Sequence, residues 1–239
     1  MSETDPIQPY YQRIAAAFVR GCALTEGTAI VVPQELLCLP LDSLADEQLE
    51  TIIQIGMEAG LRLHRFKRTH EKLPRVRRVL GMLSGIAPES LLDVGSGRGA
   101  FLWPCLSTFP NLYVTACEID SNRIQLYESV QTGGIDQFQF IQSDVTQLDL
   151  PDLSFDVVTM LEVLEHLEYP HVAIENGLRL ARRHLIVSVP SKEDDNPAHI
   201  HLLTRQKLIT MFEKAGCQRV CFDNVPGHLI ALATISSDQ

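Results

Sequence analysis

No stretch of this chain is long and apolar enough to span a bilayer, and its opening residues MSETDPIQPYYQRIAA lack the basic region and apolar run of a signal peptide. The expectation is a cytoplasmic protein without membrane contact. Cysteine supplies no framework: the six are scattered, and the closest pair, Cys217 and Cys221, misses the two-residue spacing of a zinc knuckle or redox motif. Reduced thiols are expected. Internal repeats and low-complexity tracts are absent, so no repeat array organises the chain. An excess of positive charge is missing too, since the formal net charge of −10 argues against wholesale nucleic-acid binding.

What is present is enough for one large α/β domain plus an extension: 239 residues, 45% of them apolar. The nine residues Leu91 to Gly99, LLDVGSGRG, run a buried strand straight into glycines where a helix should begin. Gly95, Gly97 and Gly99 let the backbone turn sharply and approach a ligand, with Asp93 at the strand's end. About twenty residues on, Val114 to Asp120 reads as a second buried strand ending in acid, the place from which a Rossmann-like sheet holds a ribose hydroxyl pair, and Glu118 is the candidate. A third strand, Phe138 to Gln142, leads to Ser143 and Asp144, and a fourth, Phe155 to Leu161, leads to Glu162. In a parallel sheet such strand ends line one crevice. A nicotinamide dehydrogenase competes at this level, but its turn runs Gly-x-Gly-x-x-Gly, and Arg98-Gly99 breaks that spacing.

These pieces together resemble the class I S-adenosylmethionine (SAM)-dependent methyltransferases of the type 11 and type 12 kind, over roughly residues 75 to 235. LLDVGSGRG resembles the first motif, SDV at Ser143 to Val145 the adenine-contacting segment, FDVVTMLEVLEHL the fourth strand and following loop, and HLIVSVP at His184 to Pro190 the fifth strand. One departure is visible: where many relatives carry a glycine pair before the fifth strand, this chain has Ala181-Arg182-Arg183-His184. The resemblance implies a Rossmann-like sandwich, a mostly parallel seven-stranded sheet with helices on both faces, as residues 74–239. Residues 1–73 would form a helical N-terminal extension capping the substrate side. It further implies SAM as cofactor, held by Asp93, Gly95, Ser96, Gly97, Gly99, Glu118, Ile119, Asp144, Val145, Leu161 and Glu162.

The implied reaction moves a methyl group from a sulfonium to a nucleophile, and a hydroxyl or amine acceptor benefits from a placed base. Glu162, Glu165, His166 and His201 are the candidate catalytic residues. On a helical turn Glu165 and His166 would lie near Glu162 on one face. With His199 or His201 the group also resembles, more weakly, the metal set of the Hen1-type small-RNA 2′-O-methyltransferases. No metal is expected on the main reading; the alternative ligands are Glu162, Glu165, His166 and His201. That alternative draws on a basic segment from Arg62 to Arg78, in which Arg62, Arg65, Lys67, Arg68, Lys72, Arg75, Arg77 and Arg78 face Glu71 alone. It reads either as a solvated helix face or as a dock for phosphate. The acceptor is therefore expected to be a small or medium soluble molecule, with RNA as the alternative partner. A noncatalytic SAM-binding module is the third reading.

Local signals complete the expectations. A helix should run Asp46 to His64, capped by Asp42 or Ser43, and another Arg75 to Leu83, started by Pro74. Thr204 should cap Arg205 to Ala215 and Gly216 end it. Trp103 reads as packing, the run KEDDN before Pro197 as a solvated loop, and His228 as a turn residue.

Overall fold

The computed structural model describes residues 8–67, 73–193 and 195–235, so Arg68, Glu71 and Lys72 of the basic segment lie outside the described residues, as do the side chains of Arg65 and Lys67. Three helices come first, α1 (Gln8–Leu24), the short α2 (Gln34–Cys38) and α3 (Asp46–Glu58), followed by α4 (Pro74–Ile86). Strand and helix then alternate: β1 (Ser90–Val94), α5 (Leu102–Thr108), β2 (Tyr113–Glu118), α6 (Ser121–Thr132), β3 (Phe138–Gln142), β4 (Phe155–Leu161), α7 (Pro170–Leu180) and β5 (Ala181–Pro190). The chain closes with α8 (Arg205–Lys214) and the hairpin of β6 (Val220–Val225) and β7 (His228–Thr234).

The seven strands lie in the order β3-β2-β1-β4-β5-β7-β6, all parallel except β7, which runs antiparallel to both its neighbours. Side chains alternate across each strand, so adjacent residues feed opposite faces. Leu91, Val114, Val157 and Ile186 pack under α1, α3, α4, α5 and α6, whereas Leu92, Val158, Leu185 and Val187 pack with α7 and α8. Both faces are covered, as a buried parallel sheet requires. The expected α/β sandwich with seven strands, mostly parallel, is the fold observed.

Boundaries moved where local chemistry decided them. The helix expected to reach His64 stops at Glu58, because Gly60 turns left-handed at φ 84°. Its start is held by Gln48, whose Oε1 accepts from the Ala45 amide at 2.9 Å, while Asp42 and Ser43 sit in a separate 3₁₀ turn. The second strand ends at Glu118 rather than Asp120, since Asp120 caps α6 by accepting from the Asn122 amide at 2.9 Å. β5 begins at Ala181, three residues early, and Arg182 there pairs with Asp156 at 2.9 Å. Thr204 caps α8 as expected, accepting from the Lys207 amide at 3.4 Å, though that helix ends at Lys214.

The N-terminal segment is sealed into the sheet's own core. Ile14, Ala15, Ala16, Ala17 and Val19 are buried as α1 packs between α6 and α3, and Arg20, only 6% exposed, donates from Nη2 to the carbonyls of Leu37 and Leu39 at 2.7 and 2.9 Å. The boundary expected near residue 73 is thus crossed by one continuous core. Two glycines permit the close approach of α1 and α6: a Cβ on Gly21 would lie 1.8 Å from the Ser129 carbonyl oxygen, and one on Gly133 would lie 1.7 Å from that of Ala17. Both obstacles are backbone and cannot rotate away. Gly21→Ala is therefore expected to lower unfolding stability by at least about 2 kcal/mol through overpacking. Gly81→Ala, at an exposed interior position of α4 with nothing within 4 Å of the new methyl, should raise it by about 0.5–1 kcal/mol. Denaturant melts of the two variants should shift in opposite directions, and a shared sign would show that the α1–α6 contact is not as tight as described.

Candidate active site

The ends of five parallel strands, β1 to β5, and the start of antiparallel β7 meet at the carboxyl edge of the sheet. At β1 the backbone leaves Val94 and passes through Gly95, Gly97 and Gly99 with φ of 68°, 59° and 78°, a conformation that costs other residues about 1 kcal/mol or more each. The three glycines are needed for different reasons. A Cβ on Gly95 would meet Val163 Cγ2 at 2.5 Å, and one on Gly99 would meet Trp103 Nε1 at 2.0 Å. Around Gly97 the nearest atom would be the Gly95 carbonyl oxygen at 3.7 Å, so its backbone angle and not protein crowding demands glycine there. The space outside Gly97 is open.

Glu118 holds that loop in place from the end of β2. Its Oε2 accepts from the Gly97 amide at 2.8 Å, and its Oε1 accepts from the amides of Ile119 and Asp120 at 2.9 and 3.0 Å. Beside it Ile119, a large apolar side chain, is 63% exposed at the mouth. The Tyr127 hydroxyl donates to the Gly97 carbonyl at 2.8 Å, and Trp103 donates from Nε1 to the Arg98 carbonyl at 2.8 Å. Trp103, Tyr127 and Phe138 form an edge-to-face cluster beneath the loop, with centroids 5.5 to 6.0 Å apart. Asp144 ends the next strand connection, its Oδ1 accepting from the amide and hydroxyl of Thr146, both at 2.8 Å, which sets buried Val145 in a 3₁₀ turn.

Asp93 is buried under the glycines. Its Oδ1 accepts from Thr159 Oγ1 at 2.8 Å, whereas Oδ2 is buried without a partner. Ser96 donates to the Asp93 main-chain carbonyl at 2.8 Å. Burial pushes the Asp93 carboxyl up to about 7, since desolvation disfavours the charged form more than its hydrogen bonds favour it.

Of the expected set Glu162, Glu165, His166 and His201, the structure gathers Glu165 and His166 and places Glu162 and His201 outside that group. Glu162 follows β4 in the left-handed region, at φ 61°, and this turns its side chain toward β5 and β7. There Oε1 accepts from Ser188 Oγ at 3.1 Å and lies 3.9 Å from Arg75 Nε, while Oε2 lies 3.0 Å from His228 Nε2. Glu165 and His166 instead sit on the 3₁₀ turn Leu164–His166 and gather with His199, with one ligand atom of each within 4.8 Å of the others. His201 is outside this group, its Nε2 buried without a partner. The group also clasps the loop: His166 Nδ1 donates to the Ala198 carbonyl at 2.8 Å, the Ile200 amide donates to the Glu165 carbonyl at 2.9 Å, and Asn196 Nδ2 donates to His199 Nε2 at 2.9 Å. His228, read from sequence as a turn residue, is the site residue that reading missed.

A family model described as a methyltransferase domain matches residues 92–184, from β1 into β5 and including the glycine loop, Glu118, Asp144 and Glu162. Over these residues the chain is similar to methyltransferase domains. It is 29% identical over 113 residues to the O-methyltransferase rstn1 of Aspergillus nomiae, covering 45% of this chain and 49% of that protein. It is 31% identical over 109 residues to the 27-O-demethylrifamycin SV methyltransferase of Amycolatopsis mediterranei, covering 44% and 39%. The match thus spans about half or less of these curated relatives. Among solved structures, a SAM-dependent methyltransferase from Aquifex aeolicus superposes with a TM-score of 0.57 at 21% identity, over 70% of this chain and 93% of that one.

The raised Asp93 carboxyl has a consequence for stability. A carboxylic acid whose proton is held more tightly folded than unfolded contributes a penalty that is absent below its unfolded value near 4, grows as pH rises, and levels off above about 7. Asp93→Asn keeps the acceptor for Thr159 but cannot ionise. The unfolding free energy of this variant minus that of the wild type should therefore increase by a few kcal/mol between pH 5 and pH 8. A difference that stays flat across that window in ligand-free protein would mean Asp93 ionises as readily as in the unfolded chain.

Proposed function

We propose that this chain transfers the methyl group of SAM to a small or medium soluble acceptor. The observation that carries the reading is the hydrogen bond from the Gly97 amide to Glu118, which fixes an open, positive-φ glycine loop beside a carboxylate at the end of β2. The residues present fit the cofactor on three counts: the unfilled space outside Gly97, the exposed apolar face of Ile119, and the unpartnered Oδ2 of Asp93. Glu118 would hold the ribose hydroxyls, Ile119, Asp144 and Val145 the adenine, and Asp93, Ser96 and the three glycines the amino-acid end. Leu161 and Glu162 would bound the site from β4. When bound, SAM supplies an electrophilic methyl carbon on a sulfonium.

The protein's share of catalysis is placement. Glu118 and the aromatic cluster under the loop hold the backbone rigidly, so that the acceptor can be aligned with the methyl carbon and water kept from its place. The acceptor side faces Glu162, Ser188, Arg75 and His228, a polar patch at the ends of β4, β5, α4 and β7. Residence in the cytoplasm belongs to the same proposal and is supported by six free thiols. Among the described residues no helix is long and apolar enough to cross a membrane.

One observation favours a second reading, metal-dependent methylation of RNA: the convergence of Glu165, His166 and His199. Against it, the lone pair of His199 Nε2 is already occupied by Asn196. The basic segment also spends cations internally, Arg75 on Glu162 and Arg78 on Asp223. The main reading is therefore preferred.

Calorimetry should detect binding of both SAM and its demethylated product, and Glu118→Ala should weaken both by about 10- to 100-fold, the worth of hydrogen bonds to a charged group. No heat with either compound would end the proposal. Label from methyl-tritiated SAM should enter a metabolite extract rather than RNA, and excess chelator should leave the rate unchanged; RNA labelling abolished by chelator would install the second reading.

A further inference from the structure

We propose that His228, positioned by Glu162, is the base that accepts the proton of a hydroxyl acceptor, which makes this chain an O-methyltransferase of alcohols or phenols. The inference rests on the SAM-dependent reading above and deepens it.

The argument begins with backbone. Pro226 and Gly227 form the hairpin turn, with Gly227 at φ 83°, and His228 is the first residue of β7. It is locked on both sides, in register with Val225 of β6 and Pro190 of β5. Because β7 runs opposite to the rest of the sheet, its first residue lies on the edge where the parallel strands end. Glu162 reaches it only through the left-handed turn after β4, a conformation costing of order 1–3 kcal/mol that recurs where a side chain must be aimed. The next residue, Val163, packs over Gly95, so this pair adjoins the glycine loop.

Hydrogen bonding then assigns the protons. Glu162 Oε2 lies 3.0 Å from His228 Nε2, and a carboxylate can only accept, so the neutral imidazole carries its proton on Nε2. Nδ1 is left with a lone pair, and its neighbour, the Pro226 carbonyl at 3.3 Å, is another acceptor. The neutral ring is satisfied on one side only. Once Nδ1 takes a proton, both N–H groups have acceptors, Glu162 on one side and Pro226 on the other. The site is thus built for the protonated product of base catalysis. The charged groups facing the pair are Arg75 from α4, 3.9 Å from Glu162 Oε1, and one helical turn on the Arg78–Asp223 ion pair between α4 and β6; Ser188 donates to Glu162 from β5. Arg75 and Ser188 hold one oxygen of Glu162, and the other orients the ring.

In the step itself the acceptor hydroxyl gives its proton to His228 Nδ1 as its oxygen forms a bond to the methyl carbon. The carbon–sulfur bond breaks with its electron pair going to sulfur, leaving a neutral thioether, a methyl ether and an imidazolium that later returns its proton to water. A carboxylate or thiolate acceptor would need no such base.

Two measurements test this. Nitrogen-15 NMR of the cofactor-free protein should show the neutral His228 ring protonated at Nε2 and bare at Nδ1, and the reverse tautomer would overturn the proposal. Methyl transfer from SAM should be assayed with catechol, phenol, benzoate and a thiol. His228→Ala and His228→Asn should lower turnover on the hydroxyl probes about 100- to 1,000-fold at neutral pH while leaving the Kd for SAM within about threefold. Added imidazole should restore the alanine variant, and its residual rate should climb with hydroxide after the wild type has levelled off. Glu162→Gln should cut kcat with KM little changed. Wild-type turnover in the His228 variants, or methylation confined to benzoate or the thiol, or SAM binding without modification of any hydroxyl probe, would each overturn it. Absence of SAM binding by the wild type would instead remove the underlying reading, and this one with it.

Discussion

One carboxylate ties the carboxyl edge together. Glu118 accepts three backbone amides, one from the glycine loop after β1 and two from its own turn, so the end of β2 and the loop after β1 become a single rigid unit. Three left-handed residues within five positions would otherwise be a soft segment, since glycine resists ordering more than any other residue. The amide bond from one side and the Tyr127 and Trp103 bonds from beneath supply the order that the glycines lack. What remains unfilled is the space outside Gly97, and openness there is a property of the loop's shape rather than of flexibility.

Much of this was legible in the residues, because it depends on short-range chemistry. LLDVGSGRG sets a strand, a turn and a buried acid within nine positions, and the alternation from Leu91 to Arg183 implies crossover helices on both faces of a sheet. The cap at Thr204 was legible in the same way, whereas the cap at Asp120 and the stop at Gly60 depend on a side-chain bond and a positive φ that moved the expected boundaries. The catalytic side was less legible. EVLEH suggests one cluster if the segment is imagined helical, but the left-handed Glu162 divides it, sending one acid toward β7 and leaving the other with two histidines. A non-glycine residue in that region is rarely signalled by its own identity.

His228 shows a second limit of reading along the chain. Polar residues mark this edge after β1, β2, β3 and β4, because those strands are parallel. In an antiparallel strand the same edge holds the first residue, and the Pro226-Gly227 turn before His228 was the available sign. Its partner lies 66 positions away, so only the sheet order brings them together.

The loop after β5 and the turn after β4 form the other half of this edge, and their contacts stitch the two segments together. Glu165 is fully buried, yet its main-chain carbonyl pins Ile200, and His166 pins Ala198, so the two segments are stitched by backbone partners. Asn196 completes the stitch by donating to His199 through one amide atom while its oxygen accepts from the Ala198 amide at 3.1 Å. A loop that covers a site must be held somewhere, and holding it at residues 196–200 leaves the preceding residues, up to Glu193, exposed to solvent. The Glu165 carbonyl and the rings of His166 and His199 anchor the loop, whereas Glu162 reaches His228 from a left-handed backbone. That difference is the ground on which the proposed proton transfer is placed at Glu162 and His228.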